Sequence, residues 1–239
     1  MAEAFLKVSG VSKHFGGFTA LSDVSIDIAQ GERFGLIGPN GSGKTTLINC
    51  ISGMLRNDAG SILFEGAEIS GMPAYVRTRK GIARSFQVPR PFHTMTVLEN
   101  LLVPSAYVAH MSDVEGTEKA MAILKGMGLA DKARQHAAQL SQVELRKLEL
   151  ARAMAANPKL LISDEAMAGL SGSEVDEVLA ILFRLNESGI TIIMIEHIMQ
   201  AVMRFSQRVV CLDAGKIICE GTPQSIVRHP EVQRAYLGA

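Results

Sequence analysis

The 239-residue chain contains no tryptophan and only three cysteines, Cys50, Cys211 and Cys219. The cysteines are neither closely paired nor placed with histidines at ligand spacing, so neither a disulfide framework nor a metal centre is expected from them. We expect them to be small buried residues in a reducing compartment. The chain instead depends on an apolar core, for which 47% of its residues are available.

An excess of charge of one sign is also missing. The 24 Lys and Arg residues balance the 24 Asp and Glu residues, so the formal net charge is zero. Such a chain has no overall field that attracts nucleic acid, and nucleic acid is not an expected partner. One local basic cluster is expected to be a solvated surface, consisting of Arg77, Arg79, Lys80 and Arg84.

Long apolar runs are absent as well. No run approaches the roughly 20 residues that a helix needs to cross a bilayer, and no N-terminal targeting pattern is visible. We therefore expect a cytoplasmic protein whose membrane association goes through a partner.

The chain does contain a glycine-rich segment, Gly38 to Thr45, with the pattern G-x-x-x-x-G-K-[ST], here called the phosphate loop. It lies between an apolar run, Arg33 to Ile37, and a helical pattern, Thr45 to Ser52. A strand that turns through glycines into a helix aims backbone N–H groups and the positive end of the helix dipole at one point, which suits a polyphosphate. Lys44 would reach the outer phosphates, and the Thr45 hydroxyl would ligate Mg²⁺. The residues predicted to bind nucleotide here are Asn40, Gly41, Ser42, Gly43, Lys44, Thr45 and Thr46.

The rest of the chain alternates between apolar strand patterns and helical patterns. Phe5 to Ser9 and Val24 to Ile28 alternate apolar and polar residues, as antiparallel strands do, with a turn at Gly16 and Gly17. From Leu160 onward, helices alternate with apolar strands, which is typical of right-handed crossovers and a mainly parallel sheet. We predict an α/β fold of the P-loop NTPase class with an N-terminal antiparallel β subdomain.

Between these two parts the periodicity becomes helical. Apolar residues recur three and four apart from Thr96 to about Met127, and the pattern continues from Ser141 to Ala156. We predict one nucleotide-binding domain, in which residues 1–87 and 158–239 form the catalytic core with the β subdomain. Residues 88–157 are predicted to form an inserted α-helical lobe.

A phosphate loop is shared by nucleotide kinases, GTPases and ATPases, so a second motif has to separate them. The apolar strand that begins at Leu160 ends in two carboxylates, Asp164 and Glu165. Asp164 is placed to hold the Mg²⁺ shell, and Glu165 is placed to polarise a water that attacks the γ-phosphate. This pair favours nucleotide hydrolysis.

Four further positions give the chain a resemblance to the ATPases of ABC transporters, over essentially its whole length and in the family's order. The resemblance implies that Gln87 senses Mg²⁺ and the γ-phosphate, and that His197 contacts the γ-phosphate. It implies that Phe15 stacks on adenine and that Ser141 belongs to the signature segment, which closes on nucleotide. ATP and Mg²⁺ are the implied cofactors. The implied catalytic residues are Gln87, Glu165 and His197, and the implied metal contacts are Thr45, Gln87 and Asp164.

Within that family, five segments resemble the ATPase subunits of branched-chain amino acid (Liv-type) importers, namely residues 14–21, 81–87, 96–101, 166–170 and 235–238. The resemblance implies a motor subunit at the cytoplasmic face of the cell membrane that is bound to permease subunits and acts indirectly with a solute-binding protein. The transported solute is then a branched-chain amino acid or a related small polar solute. The segment Val88 to Phe92, together with the lobe, would dock a cytoplasmic helix of the permease, because a proline-containing apolar loop is a rigid contact surface.

The chain departs from the family in its signature segment. The family pattern Leu-Ser-Gly-Gly-Gln is here Leu140-Ser-Gln-Val-Glu144. Val143 is bulky where a glycine lets the backbone approach a phosphate, and Glu144 adds negative charge near it. In the family, the signature of one subunit closes the nucleotide site of the other subunit. The changes at Val143 and Glu144 are therefore expected to impair the nucleotide site of the partner subunit, and not the site formed by this chain's own phosphate loop. A heterodimer with a second ATPase subunit is favoured, and a homodimer is possible.

Three alternatives to a motor subunit remain open. The chain could be a regulatory half that binds ATP and hydrolyses it weakly, although Glu165 and His197 argue against this. It could be a non-transport ABC ATPase, but tandem cassettes, a coiled-coil insert and a basic surface are missing. A small-molecule kinase is disfavoured because no arginine-rich lid is evident.

Overall fold

The computed structural model describes residues 4–237, so Gly238 of the predicted C-terminal segment lies outside the described residues. The chain forms two sheets, one of four strands and one of six, with helices packed around them. The predicted α/β class with an antiparallel subdomain is confirmed. No helix within residues 4–237 has the length and apolar character needed to span a membrane.

The smaller sheet is antiparallel and is formed mainly by the N-terminal part of the chain. Its strand order is β2-β1-β4-β5, and the strands are β1 (Leu6–Phe15), β2 (Phe18–Ile28), β4 (Ala59–Phe64) and β5 (Ala67–Glu68). Alternate residues of β1, including Leu6 and Val8, are buried, as the period-two pattern predicted. The β1–β2 turn brings Phe15 directly opposite Phe18.

The larger sheet is mainly parallel and has the order β10-β9-β3-β8-β7-β6. Its strands are β3 (Arg33–Ile37), β6 (Ile82–Ser85), β7 (Leu160–Asp164), β8 (Thr191–Ile195), β9 (Arg208–Asp213) and β10 (Lys216–Gly221). Only β10 runs antiparallel to its neighbour, β9. Every residue of β7 and β8 is buried, because helices cover both faces of a parallel sheet. The carboxyl ends of β3, β7 and β8 consequently meet at one edge.

Among residues 4–237, six helices pack around the sheets. They are α1 (Lys44–Ser52), α2 (Ala74–Arg79), α6 (Gly172–Glu187), α7 (Met199–Phe205), α8 (Pro223–Val227) and α9 (Pro230–Leu237). The last two both begin at a proline, a residue that suits the first helical position because it lacks an N–H.

Within the described part of the chain, the segment predicted to form the lobe, residues 88–157, contains three more helices: α3 (Val97–Tyr107), α4 (Asp113–Gly126) and α5 (Gln142–Ala155). Each begins with a reciprocal capping box, in which a Ser or Thr and a Glu three residues later satisfy each other's backbone N–H. The predicted helix from Thr96 to about Met127 is therefore two helices. The break falls where His110 takes a positive φ of 54° and Ser112 starts the next capping box.

The expectation of a solvated basic surface is wrong for two of its four cations. Arg77 is 1% exposed, and its guanidinium donates to four backbone carbonyl oxygens, two of them in α1. Carbonyl groups in the last turn of a helix lack intrahelical partners, which explains why a cation is held there. Arg84 forms an ion pair with Asp164. Only Arg79 and Lys80 are exposed as expected.

Candidate active site

The phosphate loop joins the carboxyl end of β3 to α1. Gly41 and Gly43 have φ angles of 79° and 107°, in the left-handed region that side chains disfavour. A Cβ on Gly43 would lie 2.7 Å from the carbonyl oxygen of Ala20, so a larger residue does not fit there. Within the described residues, no side chain caps the start of α1 and no acidic residue lies in its first turn. Its N-terminal N–H groups are therefore available to an anion.

Two polar side chains of the phosphate loop, those of Lys44 and Ser42, are able to bind a phosphate. Lys44 is 6% exposed, and its ammonium donates to the carbonyl oxygens of Gly38 at 2.7 Å and of Pro39 at 2.9 Å. Burial lowers the pKa of Lys44, and the charge of Glu165 opposes that shift. The Ser42 hydroxyl is buried without a hydrogen-bond partner among the described residues. Both groups fit a phosphate, which accepts hydrogen bonds and carries negative charge.

A cavity of about 250 Å³ opens in front of this loop. The structure brings together there most of the residues that the sequence predicted: Phe15, Asn40, Gly41, Ser42, Gly43, Lys44, Thr45, Thr46, Glu165 and His197. Phe18 also lines it and was missed by the sequence analysis. Its position opposite Phe15 across a two-residue glycine turn was the signal that could have found it. The two rings are 48% and 62% exposed, so both are free to stack on a planar ligand.

Glu165 follows β7 with a positive φ of 48°, and this turn aims its carboxylate into the cavity. One carboxylate oxygen is 2.7 Å from Nε2 of His197, and the other accepts a hydrogen bond from the Gln87 amide. Of the three side chains predicted to be catalytic, Gln87 and His197 therefore both contact the third, Glu165. Such an arrangement can hold the carboxylate in one orientation while it accepts a proton from water.

Asp164 lies beside this group but does not line the cavity. Its carboxylate pairs with the Arg84 guanidinium at 2.5 Å, and both side chains are 9% exposed. Arg84 also donates to the amide oxygen of Asn49 at 2.6 Å, which fixes it beneath α1. The ion pair between Arg84 and Asp164 could not be predicted from the sequence, because their strands, β6 and β7, are neighbours only in the folded sheet.

Gln87, Asp164 and Ser141 are the predicted site residues that do not line this cavity, and of these Ser141 makes no contact with Glu165 or with the phosphate loop among the described residues. It is the N-cap of α5 in the lobe, and its N–H donates to the Glu144 carboxylate at 2.9 Å. The same carboxylate pairs with Lys132. The hydrogen bond from Lys132, together with those from Ser141, lowers the pKa of Glu144 and keeps it ionised. The carboxylate of Glu144 thus already occupies the N-terminus of α5.

A buried pair of charged residues beneath the site was not found from the sequence. The Arg146 guanidinium donates to the backbone oxygen of Gln87 and, at 3.2 Å, to that of Ala168. Glu196 is 2% exposed and accepts the N–H of Met167 at 2.9 Å. Burial raises the pKa of Glu196 to about 7. Arg146 therefore connects α5 to the backbone at Gln87 and Ala168, and Glu196 connects the residue after β8 to Met167.

Comparison with known protein families agrees with this geometry. A family model described as ABC transporter matches residues 21–168, which is more than half of the chain. The chain belongs to the ABC transporter ATPase family. A second model, described as branched-chain amino acid ATP-binding cassette transporter, matches residues 216–239 of this ABC ATPase.

Similar proteins match the ABC ATPase along its whole length. The high-affinity branched-chain amino acid transport ATP-binding protein BraF of Pseudomonas aeruginosa is 36% identical over 100% of the chain and 99% of its own length. The high-affinity branched-chain amino acid transport ATP-binding protein LivG of Escherichia coli is also 36% identical, over 100% of this chain and 99% of its own length. The probable LivG of Archaeoglobus fulgidus is 38% identical over 98% of this chain and 95% of its own.

Solved structures give the same result. A transporter ATP-binding cassette in its ADP conformation has a TM-score of 0.90 and 32% identity, with 100% of both chains covered. A dimeric cassette in a post-hydrolysis state, bound to ADP and Pi, has a TM-score of 0.83 and 26% identity over 91% of this chain and 98% of its own. The chain is thus an ATP-hydrolysing cassette of an ABC transporter.

Proposed function

We propose that this ABC ATPase is the motor subunit of an importer for branched-chain amino acids, and that the cavity in front of the phosphate loop is its catalytic site. The observation that carries the site assignment is the carboxylate of Glu165, held between His197 and Gln87 at the mouth of the cavity. In this position Glu165 accepts a proton from the attacking water, and His197 keeps the carboxylate oriented toward it.

The phosphate loop holds the nucleotide's phosphates. Lys44 exchanges its two backbone carbonyl partners for phosphate oxygens, and the N–H groups at the start of α1 contribute further hydrogen bonds. The Thr45 hydroxyl and the Gln87 amide oxygen would hold Mg²⁺, and the Asp164 carboxylate, which is paired with Arg84 beside the cavity, would contribute from the outer side of the ion's shell. When bound, the ion neutralises charge on the phosphates.

The site is completed by a second ATPase subunit. Its volume of about 250 Å³ is below the roughly 300–1,000 Å³ of a usual small-molecule pocket, which agrees with one half of a shared site. Phe15 and Phe18 offer their exposed faces to adenine. Because Glu144 occupies the start of α5, the second subunit is a different chain with an unaltered signature.

The permease docks in a larger groove between the core and the lobe. This groove has a volume of about 460 Å³ and a mainly apolar lining that includes Met54, Phe86 and Phe92. Phe92 is 41% exposed, and the Arg152 guanidinium lies 5.0 Å from its ring centre. The occupant is an amphipathic cytoplasmic helix of the permease, which places the ATPase at the cytoplasmic face of the membrane. A solute-binding protein then acts on it only indirectly.

The cargo assignment rests on the relatives, which are named for branched-chain amino acid transport, and on the match to residues 216–239. The test is co-expression with the permease subunits, the second ATPase and the solute-binding protein in membrane vesicles, followed by uptake of labelled leucine, isoleucine, valine and methionine. Uptake of the three branched-chain amino acids, driven by ATP and lost in Glu165→Gln, is the expected result. ATP hydrolysis with uptake of methionine alone would overturn the cargo, and absence of hydrolysis would overturn the motor function.

A further inference from the structure

The C-terminal helix α9 makes a direct contact with the phosphate loop. The backbone N–H of Gly38 donates a hydrogen bond to the hydroxyl oxygen of Tyr236, at 2.9 Å. The two residues are 198 positions apart in the sequence. Tyr236 lies in the segment 235–238, which resembles Liv-type ATPases. The contacts among Glu165, His197 and Gln87 do not involve it.

Helix α9 is held firmly enough to position this hydroxyl. It packs on β10 and on α8, and Val232 on its inner face is 4% exposed. Burial raises the pKa of Tyr236, although the hydrogen bond from Gly38 acts in the opposite direction. The phenol is therefore neutral at physiological pH, and its oxygen is able to accept the hydrogen bond while its own hydrogen points elsewhere.

The Gly38 peptide is restrained from both of its ends. Its N–H is bound to Tyr236, while its carbonyl oxygen accepts the Lys44 ammonium at 2.7 Å. Its φ is 148°, and a Cβ there would lie 2.1 Å from the carbonyl oxygen of Leu212. When a phosphate draws the Lys44 ammonium away, the Gly38 peptide loses one restraint and depends on the other. Tyr236 is then the group that keeps the start of the loop in its phosphate-accepting shape.

We propose that Tyr236 is a positioning residue of the nucleotide site, and that α9 acts through Gly38 on Lys44 to set the affinity for MgATP. This inference rests on the proposed role of the phosphate loop as the nucleotide site. It assigns a task to the C-terminal segment, residues 216–239, that is separate from contact with the permease or the second ATPase.

The test is Tyr236→Phe in the full-length protein, with Tyr75→Phe as the matched control, because Tyr75 is 64% exposed. The Phe ring keeps the packing and removes only the acceptor of the Gly38 N–H. Equilibrium dialysis with labelled nucleotide should show a dissociation constant for MgATP about 3- to 10-fold higher in Tyr236→Phe. At saturating MgATP, kcat should change by less than about twofold.

Intrinsic fluorescence gives a second readout, since the chain has no tryptophan and only three tyrosines. Titration with MgATP should change the tyrosine emission of the wild-type protein and of Tyr75→Phe, and this change should be lost in Tyr236→Phe. An unaltered dissociation constant in Tyr236→Phe would overturn the proposal. So would equal losses in affinity and kcat together with a lower melting temperature, which would indicate a purely structural role. The labelled nucleotide in the dialysis is a non-hydrolysable ATP analogue with Mg²⁺, so the dialysis measures binding alone. A wild-type protein that binds this analogue but does not hydrolyse MgATP would count against the proposed function alone.

Discussion

The N–H of Ser141 and the carboxylate of Glu144 lie 2.9 Å apart, and the Glu144 N–H returns a bond of 3.4 Å to the Ser141 hydroxyl. This capping box places the negative charge of Glu144 at the N-terminus of α5, and Lys132 forms an ion pair with it. In the proposed dimer, the partner's nucleotide would approach this helix end. Its phosphates would meet a negative charge there, and two of the N–H groups at this helix end, those of Ser141 and Glu144, would already be in use.

Restoring the family pattern with Val143→Gly and Glu144→Gln should raise the ATPase activity of the reconstituted transporter. Glutamine can keep the capping box while removing the charge, and loss of that charge near a phosphate is worth roughly 1 kcal/mol, or about fivefold in affinity. The measurement is the ATPase rate against MgATP concentration. Glu115→Gln changes the same capping position in α4 and should leave the rate unchanged. Equal rates for the restored and wild-type complexes would argue against a defective signature.

Glu165→Gln should reduce kcat by at least about 100-fold and leave MgATP binding intact, because the amide cannot accept the proton of the attacking water. With the second ATPase subunit present, light scattering after size exclusion should show an ATP-dependent dimer. The variant alone should bind ATP and remain monomeric. Glu174→Gln, in the capping box of α6, is the control and should retain hydrolysis. An ATP-dependent homodimer of Glu165→Gln would show that the altered signature still closes a site by itself.

The buried and exposed Arg–Asp pairs of this chain should differ in their contribution to stability. Arg84→Leu leaves the Asp164 charge unpaired at a site where both side chains are 9% exposed, and it should lower the free energy of unfolding by roughly 3 kcal/mol. Arg204→Leu breaks a pair with Asp176 in which both side chains are more than half exposed, and it should cost about 1 kcal/mol or less. Urea unfolding at neutral pH compares the two. Similar losses would show that Asp164 is better solvated than its burial indicates.

Glu196 should make stability depend on pH. Its pKa is raised from 4.5 to about 7 by burial, so the folded chain binds this proton more tightly than the unfolded chain. The resulting stabilisation is fully present below pH 4.5 and is lost as the pH rises through about 7. Relative to Glu196→Gln, the wild-type free energy of unfolding should fall by roughly 3 kcal/mol across this range.

The measurement for Glu196 is urea unfolding of both proteins at several pH values between 5 and 8. Glu115→Gln is the control of opposite sign, because hydrogen bonds from Ser112 lower the pKa of Glu115. The wild-type advantage over that variant should shrink as the pH falls. A constant difference between the wild type and Glu196→Gln would mean that Glu196 titrates equally in both states.

Phe92→Glu should prevent the ATPase from co-purifying with its permease, because it places a charge in an apolar groove. Nucleotide binding should be unchanged, since Phe92 does not line the phosphate-loop cavity. Val227→Glu, at a residue 40% exposed on α8, is the control and should co-purify normally. Undiminished recovery of the permease with Phe92→Glu would overturn the docking assignment.

Much of the fold could be predicted because the signals are local. The alternation at the start of β1 and the apolar residues that open β7 are both visible in short stretches of the chain, and the structure confirms both strands. The division at His110 was missed because a helical apolar period continues through it, while the capping box that restarts the helix depends on two side chains. The catalytic and metal roles of the site residues, and the division into core and lobe, stay predictions.

The sequence by itself determined the phosphate loop, the two carboxylates at the end of β7 and the altered signature, because each is written in adjacent residues. Only the tertiary structure decided which distant residues meet: Arg84 with Asp164 across neighbouring strands, and Tyr236 against Gly38. These contacts depend on strand order and on where the terminal helix packs. Hydrogen bonds and ion pairs between such residues act over only a few ångströms, so they exist only once the fold has brought the groups together.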